Sequence, residues 1–191
     1  MFKGNSQKSF ILLFFLTTIV FAFWACKKNS NNDDNSHNSS ILFYSGFENN
    51  GLFSLVGWEV PELQTSFICG SKDVPPTGGK LSLELIDNDG EFPGCLTASI
   101  PLDTGIYKVK LSFWGKTFPW ESSVWIYHIK MDSTERIKYA LVDDTIWKQY
   151  TIHDTLIAKR GDSLKIKLFF ASLYRRSSVV FYDEVKLERL Y

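Results

Sequence analysis

From Ile41 onward, apolar and polar side chains alternate with a period of two, a pattern that fits half-buried strands and little else. Leu81, Leu83 and Leu85 alternate with Ser82 and Glu84, and Tyr107, Val109, Leu111 and Phe113 with Lys108, Lys110 and Ser112. Leu164, Ile166, Leu168 and Phe170 alternate with Lys165 and Lys167, and Val179, Phe181, Val185 and Leu187 are expected to share one face of the last strand. Turn-forming groups separate the runs: Pro75-Pro76-Thr77-Gly78-Gly79, Asn88-Asp89-Gly90, Asp103-Thr104-Gly105 and Arg160-Gly161-Asp162. No segment keeps a 3.6-residue period long enough for a substantial helix, and no internal repeat is visible. The expectation is an all-β fold, a two-sheet antiparallel sandwich of the jelly-roll type.

The N-terminal 40 residues are different in kind. Met1–Ser9 carries Lys3 and Lys8 and no acid, Phe10–Phe23 has no charge, and Ala25 precedes Cys26, which together make a secretory signal. The junction Phe23-Trp24-Ala25-Cys26 resembles the lipobox of bacterial lipoproteins, which implies cleavage before Cys26 and its lipidation. The alternative is an uncleaved anchor. Spanning a bilayer takes ~20 apolar residues, and this run is shorter and ends at Lys27-Lys28. Residues 27–40 contain no apolar side chain and so cannot offset the entropy of ordering, as expected of a tether. Asp33-Asp34 loosely resembles the acidic signals that send lipoproteins to the outer face of the outer membrane, or is simply part of a solvated spacer. The expected organisation is a signal peptide over 1–25, a lipidated cysteine and polar tether over 26–40, and one sandwich domain over 41–191. The expected location is the bacterial outer membrane, on its periplasmic or cell-surface side, held through the lipid.

The chain has 21 basic and 21 acidic residues, and losing Lys3 and Lys8 leaves it only slightly acidic. With no basic stripe to follow phosphates, nucleic acid is not an expected partner. Beyond Cys26, only Cys69 and Cys95 remain, and an oxidising compartment would favour a disulfide between them, contributing ~3 kcal/mol on the chain-entropy view.

The order of landmarks carries a further signal. Gly46-Phe47-Glu48 is followed by Gly57-Trp58, then Gly78-Gly79-Lys80-Leu81-Ser82-Leu83 and Ile100-x-Leu102-x-x-Gly105-x-Tyr107. Next come Ser112-Phe113-Trp114-Gly115-Lys116, Trp147-x-x-Tyr150, Gly161-Asp162 and Phe181-Tyr182-Asp183-Glu184-Val185-x-Leu187. Over Phe43–Leu187 this resembles the galactose-binding-like jelly rolls, and among them the carbohydrate-binding modules of the family 4/9 and 22 type. The resemblance speaks to fold more than function, since one fold hosts many tasks.

Many such domains hold a structural calcium ion where the first and last strands meet. The resemblance implies Glu48 and Asp183 as its carboxylate ligands, with backbone carbonyls from Gly78–Lys80. Glu184 stands where the family usually has a second Asp or Asn. Calcium takes six to eight oxygens. The other reading is that Glu48 and Asp183 cap strand ends. Asp87-Asn88-Asp89-Gly90-Glu91 lacks the spacing of an EF-hand loop and reads as a hairpin turn.

Aromatic residues make up 16% of the chain, enough to consider ring stacking against the C–H faces of sugars. If a hairpin turns between Pro119 and Trp120, Trp114 pairs with Trp125 and Ser112 with Tyr127, while Phe113 and Ile126 enter the core. Trp114, Trp120, Trp125 and Tyr127 then form a carbohydrate-binding platform beside Lys108 and Lys110. A one-residue slip instead buries Trp125 and Tyr127 and places His128 beside Trp114. Trp58 and Trp147 read as core residues, and Phe169 and Tyr174 are additional candidate contacts.

Enzyme signatures are scarce: no Gly-x-Ser-x-Gly, no phosphate-binding glycine loop and no His-Glu-x-x-His. His128 and His153 have no nearby cysteine to suggest zinc. Glycoside hydrolysis needs only two opposed carboxylates, a pair that sequence does not exclude, but Asp143, Asp144 and Asp154 sit at apparent turns and strand ends, where solvated acids are ordinary. The expectation is a non-catalytic, membrane-anchored binder of polysaccharides or oligosaccharides. The alternative is a structural or protein-interaction module of a cell-envelope complex, using the same aromatic surface.

Overall fold

The structure is a computed structural model, and it describes residues 39–61, 67–88, 93–119, 121–170 and 178–191. The leader, Cys26, most of the tether, Trp120, Tyr174 and the Asp89-Gly90-Glu91 turn lie outside the described residues.

Two antiparallel six-stranded sheets face each other. The first runs β12 (Lys148–Ala158), β9 (Gly105–Phe118), β14 (Ser178–Leu190), β6 (Ser82–Asp87) and β5 (Ile68–Ser71), with β1 (Ser39–Ser45) also pairing with β14. The second runs β11 (Thr134–Val142), β10 (Ser122–Ile129), β13 (Ser163–Phe170), β7 (Gly94–Thr97) and β4 (Trp58–Glu59), with β8 (Ile100–Pro101) on β13. A short ribbon joins β2 (Glu48–Asn49) to β3 (Leu52–Phe53). This is the jelly-roll sandwich expected from the alternation. In β1, Ser39 and Ser40 pair with Leu190 and Arg189.

Inward-facing residues of both sheets fill the core. Val109, Leu111 and Phe113 of β9 and Val124 and Ile126 of β10 are fully buried, as are Leu164, Ile166 and Leu168 of β13. Burying each such side chain contributes roughly 1.5–3 kcal/mol. A polar tie crosses this interior where the buried Tyr182 hydroxyl of β14 donates to Ser122 Oγ of β10 at 2.9 Å. Tyr182→Phe leaves Ser122 without that donor and is expected to cost about 1–3 kcal/mol in urea unfolding. The double variant with Ser122→Ala should recover part of the loss, since no polar group is then stranded.

The last strand departs from the expected parity. Val180 and Tyr182 point inward, and Val179 and Phe181 outward, whereas Val185 and Leu187 point inward as expected. The cause is a β-bulge. Asp183 pairs with Trp114 and Lys186 with Ser112, so Glu184 and Val185 together face Phe113. Glu184 takes the left-handed conformation with φ 51°. Its backbone N–H donates to Asp183 Oδ1 at 2.8 Å, and its Oε1 accepts from Tyr44 at 3.0 Å, contacts that hold this unfavoured geometry.

Cys69 and Cys95 are not bonded to one another. Cys95 pairs with the inward Leu168 and is buried in the core from the second sheet. Cys69 lies opposite Glu84 on the first sheet, one step from the inward Ile68–Leu85 pair, and its thiol donates to Glu84 at 3.7 Å. The two sulfurs therefore leave different sheets in directions that do not meet, which removes the expected disulfide.

Candidate functional site

The segment Lys116–Glu121 is not a hairpin. β9 belongs to the first sheet and β10 to the second, so the connection crosses the sandwich. Phe113 and Ile126 both point into the core, but Trp114 and Trp125 stand on opposite outer faces, and no shared platform forms. The alternative register fails as well, because His128 is buried, with Nε2 2.8 Å from Asp162 Oδ2. The Lys159 N–H and then His128 hold the Asp162 carboxyl below its usual range. His153 is exposed.

Trp125 and Tyr127 form their own site on the outer face of the second sheet. The indole lies 5.9 Å from Tyr127 and 5.8 Å from Phe169, ring centroid to centroid. Tyr127 and Phe169 line a groove of about 880 Å³, across β10, β13, β7 and the segment around β4. Its other walls include Val60, Pro61, Leu96, Lys165, Lys167 and Glu59. That volume is within the usual range for ligand sites. Lys165 Nζ meets Glu59 Oε2 at 2.8 Å across the groove. Trp125 adjoins it, with Arg136 4.7 Å and Lys167 5.6 Å from the ring centroid. Burial pushes the Tyr127 hydroxyl up and the Lys167 ammonium down. Phe169 thus belongs to the site, while Lys165 and Lys167, which the alternation presented as ordinary solvent-facing residues, form its polar lining.

Trp58 is a core residue as expected: it stacks on Phe47 at 5.5 Å and donates to Ser45 at 3.0 Å. Trp147 is not. It is partly exposed, and its indole N–H donates to Asp73 Oδ1 at 2.9 Å, with Lys116 bonded to the other oxygen and lying 4.8 Å from the Phe181 ring. Trp147 precedes β12 by one residue, after an exposed Ile146, so it reaches the outer face rather than the interior.

Beside the bulge of β14, Glu48 and Asp183 converge on one loop. Glu48 Oε2 accepts from the Lys80 backbone at 2.7 Å. A methyl group built on Gly78 would collide with Asp183 Oδ2 and the Pro75 ring, and one on Gly79 with Glu48, so only glycine admits both carboxylates. Asp183 is fully buried, and its Oδ2 has no hydrogen-bond partner. Burial, followed by the nearby Glu184 and Glu48, pushes its pKa up to about 7. A buried carboxylate oxygen without a donor fits a cation. Among the described residues no three His, Cys, Asp or Glu side chains cluster, so backbone oxygens would have to supply much of the shell.

No protein-family model matches the chain, and no curated protein sequence matches it. Among solved structures, the xylan-binding CBM22-1 domain of Paenibacillus barcinonensis Xyn10C is similar, with a TM-score of 0.55 at 16% identity, over 81% of this chain and 97% of that one. The C-terminal family 22 carbohydrate-binding module of Clostridium thermocellum Xyn10B gives 0.53 at 11%, over 83% and 97%. TmCBM61, solved with β-1,4-galactotriose, gives 0.50 at 15%, over 76% and 99%. The chain therefore has the jelly-roll sandwich fold of carbohydrate-binding modules.

Proposed function

We propose that this protein is a non-catalytic binder of polysaccharides, and that it binds them in the groove beside Tyr127, Phe169 and Trp125. The observation that carries the reading is the groove itself: clustered rings interleaved with polar side chains, the chemistry that sugars with apolar faces and hydroxyl rims require. The solved structures of the same fold support it, since one is a xylan-binding domain and another was solved with galactotriose. The leader and Cys26 suit export and lipid anchoring at the outer membrane, where a tethered domain raises the effective concentration of captured glycan.

Calcium belongs to this reading as a structural ion. Glu48, Asp183 and the backbone of Gly78–Lys80 would hold it, stiffening the junction of β2, β14 and the loop before β6. The ion would neutralise the clustered carboxylates, and the binding groove lies on the other sheet.

The test is a broad glycan array probed with the protein in calcium. Retention on a defined class of oligosaccharide is expected. Silence from protein shown to be folded by its unfolding transition would overturn the reading.

A further inference from the structure

We propose that the groove selects anionic polysaccharides, bearing carboxylate or sulfate groups, over neutral ones; this rests on the glycan-binding reading above. Among the described residues, three cations surround the site and one carboxylate lines it. Glu59 is already engaged by Lys165. Lys167 and Arg136 remain, and among the described residues neither has a carboxylate within ion-pair distance.

Their placement follows from the register. In one row across the sheet, Tyr139, Trp125 and Lys167 stand side by side, and in the next come Arg136, Tyr127 and Lys165. Arg136 and Lys167 thus flank the central strand from opposite sides, each packed on the Trp125 ring. Lys167 Nζ also lies 4.3 Å from the Phe169 centroid. Ring faces hold the stems and aim the cations but cannot neutralise them.

A partly buried ammonium without a counterion is unfavourable, and burial already draws the Lys167 pKa down. A sugar acid in the groove would supply the missing partner to Lys167. Arg136, exposed at the edge strand, would meet a second anionic group along the chain. A neutral glycan would use the rings alone and leave Lys167 as costly as before.

The experiment measures affinity by calorimetry, in calcium, for matched oligosaccharides: a polyuronate, its carboxyl-reduced neutral form, a sulfated galactan and its desulfated form. At least tenfold tighter binding of a charged member than of its neutral partner is expected. That preference should shrink with rising salt and collapse in the Lys167→Gln/Arg136→Gln double variant. Equal affinity for charged and neutral partners, lost together in Tyr127→Ala, would overturn the selectivity while leaving the glycan reading intact. A charge preference that survives the double variant would overturn the assignment to these residues. Binding of no member would overturn both readings.

Discussion

Saturating calcium is expected to raise the unfolding temperature of the chelator-treated protein by about 5–10 °C. A ligand at a hundredfold excess over its Kd stabilises by about 2.7 kcal/mol, and a domain of this size gains roughly 2–4 °C per kcal/mol. The sign of the pH dependence is a sharper check. Asp183 has a folded pKa of about 7, from burial and the adjacent Glu184 and Glu48, against about 3.9 when unfolded. In the metal-free protein the folded state therefore holds this proton more tightly. Its contribution is fully present below about pH 4 and is lost as pH rises towards 7. Calcium requires the ionised carboxylate, so the calcium-induced shift should grow between pH 5 and pH 8. Asp183→Asn cannot ionise. It should raise the unfolding temperature of metal-free protein at pH 8 and abolish the response to calcium. Calorimetric scans at both pH values, with and without chelator, test all of this; a wild-type transition unmoved by calcium at pH 8 would rule out the site.

Tyr127→Ala is expected to weaken binding of whatever glycan the array identifies by 10- to 30-fold. Truncating a central aromatic contact commonly costs more than 1 kcal/mol and at hot spots about 2, and each 1.4 kcal/mol is tenfold in Kd. Trp125→Ala should weaken binding too, because it removes the surface on which Arg136 and Lys167 pack. Trp114→Ala should leave affinity unchanged, since Trp114 lies on the opposite outer face. Affinity electrophoresis of the three variants, alongside thermal scans to show folding, distinguishes the two faces. Loss of binding with Trp114→Ala and none with Tyr127→Ala would move the site to the first sheet.

The strands, their inward residues and the sandwich were legible because alternation is local: Val109, Leu111 and Phe113 announce a buried face whatever they pair with. Sheet membership is not local. The same run through Pro119 suits a hairpin or a crossing between sheets, and only the pairing of β9 with β12 and β14 decides it. Trp114 and Trp125 each face outward as their strands' alternation predicts, yet they stand apart because β9 and β10 belong to different sheets. The meeting of Glu48 with Asp183 joins residues far apart in sequence, and no spacing rule connects them; it was accessible through the resemblance alone. The position of Lys167 beside two rings depends on three strands aligning in register. A single strand's pattern offers no sign of that.

The bulge at Glu184 amounts to a half-period phase slip within one strand, and it makes the two halves of β14 independent in orientation. Deleting that one residue would bring the strand back into phase. With Glu184 gone, Val185 alone would face Phe113, and Val180, Tyr182, Val185 and Leu187 would follow one another on the inner face in plain alternation, their partners on β6 and β9 unchanged. A one-residue deletion elsewhere in the strand, with the bulge kept, would instead exchange inner and outer faces over part of a sheet, whereas a substitution stays local. Length, more than side-chain identity, is the guarded property of this strand.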